Sequence, residues 1–352
     1  MNLLRWLLLA TLCFGTVACS QDALPEPLNA QLSDLLPNDE AGVAVGLIEE
    51  GDETVSFVGN PDFTEETLFE YGSITKVFTA VLLTQLTQEG VVQLDESINA
   101  HLPADVQDGK WDTVTFQQLA THSAGLPPLP PNMDEAYFEQ NLENPYANYD
   151  RAMLYEAVAE VELEPAGEFN TYSNFGFGLL GTLLAEAAGT PYADLVEARA
   201  FTPLEMDSAT VNGWSSENRA PPLSADGSEV SAWDFDAMAG AGAVRGSLGD
   251  ALKFLQASIT ACAEETPLAV ANCQAQQATE VKTSENEFQG LGWARLQSEA
   301  GDIVWHNGGT GGFSTFLGFN VEKEVGIVLL ANFADDDLNV TLTGLEFLAT
   351  LE

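Results

Sequence analysis

Hydrophobic and polar positions alternate, then cluster, then alternate again along this chain. Two alternating runs, GVAVGLIEE and ETVSFVG, flank Gly51-Asp52 and predict a β-hairpin. The next segment, YGSITKVFTAVLLTQLTQEG, is nearly all apolar from Val77 to Leu83 and is stopped by Gly90. A helix apolar on most faces has to be buried on most faces, so this one belongs near the centre of the molecule. From Asp95 to about Gly240, Pro-rich loops such as GLPPLPP interrupt helical runs, among them Met153 to Ala159 and NFGFGLLGTLLAEAAG. The tail then reads as four strands with tight turns, LGWARLQ, DIVWHN, GFSTFLGFN and VGIVLLANF, and a closing helix over Leu338 to Leu351. Strands at both ends with helices between them predict one sheet built from both termini and a helical insertion. There is no internal repeat.

Composition narrows what such a chain can do. Its 352 residues allow one large domain or two intimate ones, and 54 acidic against 11 basic residues leave a formal charge of −43. Nucleic acid needs clustered Lys and Arg, and anionic lipid attracts the same residues, so neither is an expected partner. The acidic residues are dispersed, as on a solvated surface.

The first twenty residues, MNLLRWLLLATLCFGTVACS, read as an export signal: Arg5 is the positive end, and Leu7 to Val17 is apolar but too short for a stable span. Thr16-Val17-Ala18-Cys19 resembles a bacterial lipobox, which implies cleavage before Cys19, lipidation of that cysteine and a periplasmic, lipid-anchored product. The following SQDALPEPLNAQLSDLLPNDEAG reads as a tether with one short helix. In an oxidising compartment Cys262 and Cys273 can close a small loop, worth roughly 3 kcal/mol.

Three short stretches carry candidate chemistry. In Ser73-Ile74-Thr75-Lys76, positions three apart share a helix face, so Lys76 reaches the Ser73 hydroxyl. Serine needs a base, and a lysine inside an apolar helix has its pKa lowered enough to serve. Tyr172-Ser173-Asn174 lies between a Pro-Ala-Gly turn and a helix; a phenol beside an ammonium loses its proton more readily, and the amide can hold both a lysine and a substrate carbonyl. In HNGGTGGF, residues 306 to 313, His306 lies near a strand end. Gly308 and Gly309 would let substrate approach an edge strand closely.

Together these stretches resemble the serine β-lactamase and penicillin-recognising hydrolase superfamily, in its class C branch with the related DD-peptidases and esterases; S-x-x-K and K-T-G are signatures of its class A relatives. FEYGSITKVFTAVLLTQLTQEGVVQLDESINAHLP, VTFQQLATHSAGLP, PAGEFNTYSNFGFGLLG and HNGGTGGFSTFLGF are similar to family segments in family order, over roughly residues 42 to 335. The resemblance implies an α/β (α+β) fold: an antiparallel β-sheet flanked by helices, plus a mostly helical second domain, with the site between them. Residues 1–18 are then the signal, 19–41 the tether and 42–351 the domain, its sheet part about 42–72 and 241–351 and its helical part about 73–240. It also implies that Ser73 is acylated, that Lys76 and Tyr172 share the proton transfers, and that Asn174 orients Lys76 and the substrate amide. The N–H groups of Ser73 and Gly309 would form the oxyanion hole, and His306 would stand where the family has the lysine of K-T-G, guiding a carboxylate or Tyr172.

His306-Asn307-Gly308 departs from the Lys-Thr-Gly of class C β-lactamases, and PLPP around Leu129 stands where many of them have a substrate-binding Gln. A neutral His and a missing amide weaken the hold on a β-lactam. The implied activity is an amide- or ester-hydrolysing enzyme of D-alanyl-D-alanine carboxypeptidase type, with a true class C β-lactamase or a non-catalytic wall-peptide or β-lactam-binding lipoprotein as the alternatives. His122-Ser123 are adjacent and cannot easily pair as base and nucleophile, so THSAGLP reads as structural. No G-x-S-x-G, H-E-x-x-H or His/Cys cluster occurs, and no metal or other cofactor is expected.

Overall fold

A computed structural model describes residues 24–165, 170–213 and 217–351. The expected export signal and Cys19 lie outside the described residues. Among those described, no helix is long and apolar enough to cross a membrane.

The expected hairpin is β1 (Gly42–Glu49) and β2 (Asp52–Gly59), paired antiparallel. Leu68–Glu70 is β3 and Arg245–Ser247 is β4, a separate short pair whose residues carried no periodic signal. The tail supplies β5 (Glu287–Gln289), β6 (Ala294–Ser298), β7 (Gly301–Gly309), β8 (Ser314–Asn320) and β9 (Val325–Ala331). Four of these strands match the expectation, and β5 is additional. The main sheet runs β2-β1-β9-β8-β7-β6-β5, antiparallel throughout, so the N-terminal hairpin closes onto the last strand.

Side chains alternate across this sheet into two cores. Ala44, Ile48, Leu317, Val328 and Leu330 face the helical mass, whereas Val43, Val45, Phe316, Ile327 and Leu329 face the terminal helices. The closing helix is Asn339–Ala349. The segment expected as a tether is packed from Leu24 onward. Its helix, Glu26–Asp34, puts Leu28 and Leu32 on one stripe, and both are buried with Val340 and Leu348 of the closing helix.

The apolar helix is Thr75–Gln88, with every residue from Thr75 to Leu86 buried. A second buried helix, Asn174–Ala188, packs against it and ends at Gly189 in the left-handed conformation. The expected run near Met153 is the Arg151–Glu160 helix. Cys262 and Cys273 form a disulfide between the Ala261–Ala263 turn that follows the Leu248–Thr260 helix and the Pro267–Gln276 helix.

Candidate active site

Ser73 sits in a tight helical turn, Gly72–Ile74, that runs straight into the buried helix. Three anchors hold this turn. The Thr315 hydroxyl donates to the Tyr71 carbonyl at 2.9 Å, the Tyr71 hydroxyl reaches the Ser247 carbonyl at 2.5 Å, and the Thr75 hydroxyl accepts from the Val244 N–H at 2.9 Å. Gly72 has φ +54° and faces the Gly309 backbone, where a side chain would collide.

Lys76 is fully buried. Its Nζ lies 2.9 Å from Ser73 Oγ, 2.7 Å from Asn174 Oδ1 and 2.7 Å from the Ala241 carbonyl oxygen. No carboxylate stands among these partners, and burial drives its pKa well below the ordinary lysine value. Sequence reasoning missed the Ala241 carbonyl, which carries no side-chain signal.

Asn174 opens its helix, and Ser173 caps it by accepting from the Gly176 N–H at 2.9 Å while donating to the Pro127 carbonyl at 2.6 Å. Tyr172 stands just before the cap with its ring 4.8 Å from Lys76 Nζ. It keeps 43% of its surface exposed, yet its hydroxyl end is withdrawn. That burial raises the phenol's pKa further than the hydrogen bond with Ser73 lowers it. Desolvation of the hydroxyl thus runs against the expectation of a phenol that loses its proton easily.

His122 holds the same loop. Its Nδ1 accepts from the Ser173 N–H at 3.0 Å, its carbonyl accepts from the Thr171 N–H at 3.0 Å, and its ring lies 4.5 Å from that of Tyr172. It is buried and adopts φ +57°, which fits the structural reading of THSAGLP.

His306 is buried on β7, 6.3 Å ring to ring from Tyr172, with Nδ1 against the Asn307 carbonyl. Burial first, then the nearby Lys76, push its pKa down to about 3, so it is neutral at physiological pH. It lines a cavity of about 190 Å³ with Tyr172, Glu287 and Trp305.

Two expectations about this strand change. β7 is interior, between β8 and β6, for its first half, but β6 stops opposite Trp305. Only His306 to Gly309 therefore present a free edge, and this is the part that meets the Ser73 turn. The two glycines also differ. A side chain at Gly308 would lie 2.0 Å from the Tyr71 carbonyl and 3.0 Å from the Ser73 nitrogen, so Gly308 makes room for the nucleophile turn rather than for substrate. Gly309 faces open space. These close approaches pack the backbone of the Ser73 turn against that of Gly308 and Gly309.

A partly exposed serine, a buried amine in contact with it, a phenol and a glycine strand edge packed on the serine turn are components of a serine acyl-transfer site. The beta-lactamase family model matches residues 32–349, and the chain belongs to that family. It is 26% identical to a beta-lactamase of Escherichia coli K12, over 92% of this chain and 94% of that protein. It is also 26% identical to the D-alanyl-D-alanine-carboxypeptidase/endopeptidase AmpH of the same organism, over 74% of this chain and 70% of that one. The solved D-alanine carboxypeptidase AmpC of Burkholderia cenocepacia shares the fold, with a TM-score of 0.77 and 23% identity over 92% of this chain and 98% of that one. The chain is a serine hydrolase of the beta-lactamase family.

Proposed function

We propose that this protein hydrolyses amide or ester bonds through an acyl-enzyme on Ser73, as a peptidase- or esterase-like hydrolase of D-alanyl-D-alanine carboxypeptidase type. One observation carries the reading: the contact geometry at Lys76. Nζ lies 2.9 Å from Ser73 Oγ, and Asn174 Oδ1 and the Ala241 carbonyl, which can only accept, hold two of its N–H groups. When the desolvated ammonium gives up its extra proton, the lone pair that remains faces the Ser73 hydroxyl. Lys76 is then the base that removes the Ser73 proton as Oγ attacks the carbonyl carbon.

The negative charge that develops on the carbonyl oxygen falls to the N–H groups of Ser73 and Gly309. Tyr172, protonated at rest, donates a proton to the departing nitrogen or oxygen and is recharged from Lys76. Water then attacks the acyl-enzyme, giving up its proton by the reverse route. His306 and Asn174 position the substrate and the lysine.

The neutral His306 separates this reading from a true class C β-lactamase. A fixed cation at that place would hold a lactam carboxylate by charge, and a neutral imidazole offers only a hydrogen bond. The E. coli beta-lactamase relative supports the second reading, since it matches over 92% of this chain.

Timed mass spectrometry with a benzylpenicillin-type β-lactam, with Ser73→Ala as control, tests the proposal. A lasting adduct that requires Ser73 is the expected result. Rapid Ser73-dependent drug hydrolysis without an adduct would establish the β-lactamase reading instead. Failure of Ser73 to label with β-lactams, activated esters and D-amino acid peptides alike would leave a binding protein.

A further inference from the structure

We propose that the cavity beside Tyr172 receives the departing part of the substrate and selects one that carries an ammonium group, with Glu287 as the specificity residue. The proposal rests on the acyl-enzyme reading above, in which Tyr172 protonates the departing atom. It narrows that reading to bonds with a basic residue on the departing side.

The cavity lies where β6 stops. Pairing aligns Gln289 with Ala294 and Ala294 with Trp305, and Glu287, two residues before Gln289, shares their face of the sheet. All four line the cavity, across from Tyr172 and Asn170 of the helical side. The Thr283 hydroxyl donates to Glu287 Oε2 at 2.5 Å. Among the described residues the carboxylate has no ion-pair partner.

Two neighbouring cations are turned away from it. Lys282 and Arg295 both stand opposite Phe288, so they share the face that Glu287 does not. Lys282 Nζ lies 4.5 Å from the centre of the Phe288 ring, and Arg295 pairs with Asp302 at 2.8 Å. The cavity lining holds one carboxylate and no Lys or Arg.

Two neutral groups of the lining are set as acceptors. His306 Nδ1 meets the Asn307 carbonyl, which can only accept, so this nitrogen carries the proton and Nε2 of the neutral ring keeps a lone pair. Asn170 Nδ2 donates to the Thr121 carbonyl at 3.1 Å, which fixes the amide and leaves Oδ1 to accept. A carboxylate and two acceptors suit a cation that donates hydrogen bonds. A departing carboxylate would meet a like charge and two lone pairs, with no lining cation to offset them.

Three esters of one acyl group test this, their departing phenols bearing a meta trimethylammonium, methyl or carboxylate substituent. The trimethylammonium group reports the charge preference without an amine that could attack the ester. Acylation of Ser73 is followed as released phenol and as adduct mass. Comparing wild type with Glu287→Gln on each ester cancels the intrinsic reactivities of the phenols. E287Q should lower kcat/KM about tenfold for the cationic ester, raise it about threefold for the anionic one and leave the neutral one within about twofold. A merely structural role would move all three in one direction, and that result overturns the proposal.

The formal charge of −43 attracts any cation from a distance, so a second variant separates that field from the cavity. Glu285→Gln removes a charge from an exposed neighbour outside the lining and should change each rate by less than about twofold. Equal effects of E285Q and E287Q overturn the proposal. If E287Q does not fold, Glu287→Ala takes its place, with the same opposed signs expected. Phenol release that survives in Ser73→Ala would instead defeat the acyl-enzyme reading itself.

Discussion

Lys76 and His306 are two buried bases in one site, and burial does opposite things for them. Desolvation is the largest influence on each and lowers both pKa values. For Lys76 desolvation makes the proton easier to give up beside the Ser73 hydroxyl, in the direction that a base requires. For His306 the result is retirement from acid–base work, because an imidazole held near 3 offers only a neutral hydrogen bond at working pH. The surroundings make the difference. Lys76 lies in the first turn of a buried helix, among fixed partners, whereas His306 lies where β7 loses its neighbour and opens onto a cavity. The same physical cause yields a reactive group or an inert one according to how far the ordinary pKa stands above physiological pH.

Substitution at Lys76 should break this comparison most strongly. Lys76→Met keeps the apolar packing but removes the lone pair, and acylation of Ser73 should fall about a thousandfold, measured as adduct formation with an activated ester. In the wild type the same rate should rise with pH until Lys76 is neutral, since a lowered pKa releases the proton below the ordinary lysine range.

The glycines of the strand edge give the next effect. Gly308→Ala forces a methyl against the Tyr71 carbonyl and should cost about 3 kcal/mol in denaturant unfolding. Gly309→Ala, with open space in front of it, should stay within about 0.5 kcal/mol of the wild type. Equal losses at the two positions would contradict the packing of β7 on the Ser73 turn.

His306→Gln should have the smallest effect, a drop in kcat/KM of less than about tenfold with the pH–rate profile unchanged in shape between about pH 5 and 9. A limb of the profile that vanished in this variant would show that His306 does titrate in the working range.

The three candidate stretches, which the structure brings together, were legible because each couples an uncommon residue to a strong local signal. Ser73 and Lys76 lie three apart at the start of an unbroken apolar run, Tyr172 and Asn174 straddle a helix cap, and His306 precedes a glycine cluster. The helix through Lys76 and the strands of the tail were legible for the same reason, since long apolar periods survive any tertiary context. The β3–β4 pair was not, because three residues are too few for a period and their pairing joins positions 68 to 70 with 245 to 247. The packing of the Glu26–Asp34 helix was missed as well. Its two buried leucines look like part of a polar tether until the closing helix supplies a partner.

By itself the sequence determined the candidate nucleophile and the lysine next to it, the order of sheet and helix, and a strongly acidic balance of charge. These depend on neighbours within a few positions or on sums over the chain. Only the tertiary structure decided which titrating groups are desolvated, which glycine is packed and which is open, and that the Ala241 carbonyl completes the lysine's shell. Those properties depend on desolvation and on contacts between residues more than a hundred positions apart, and no local pattern encodes them.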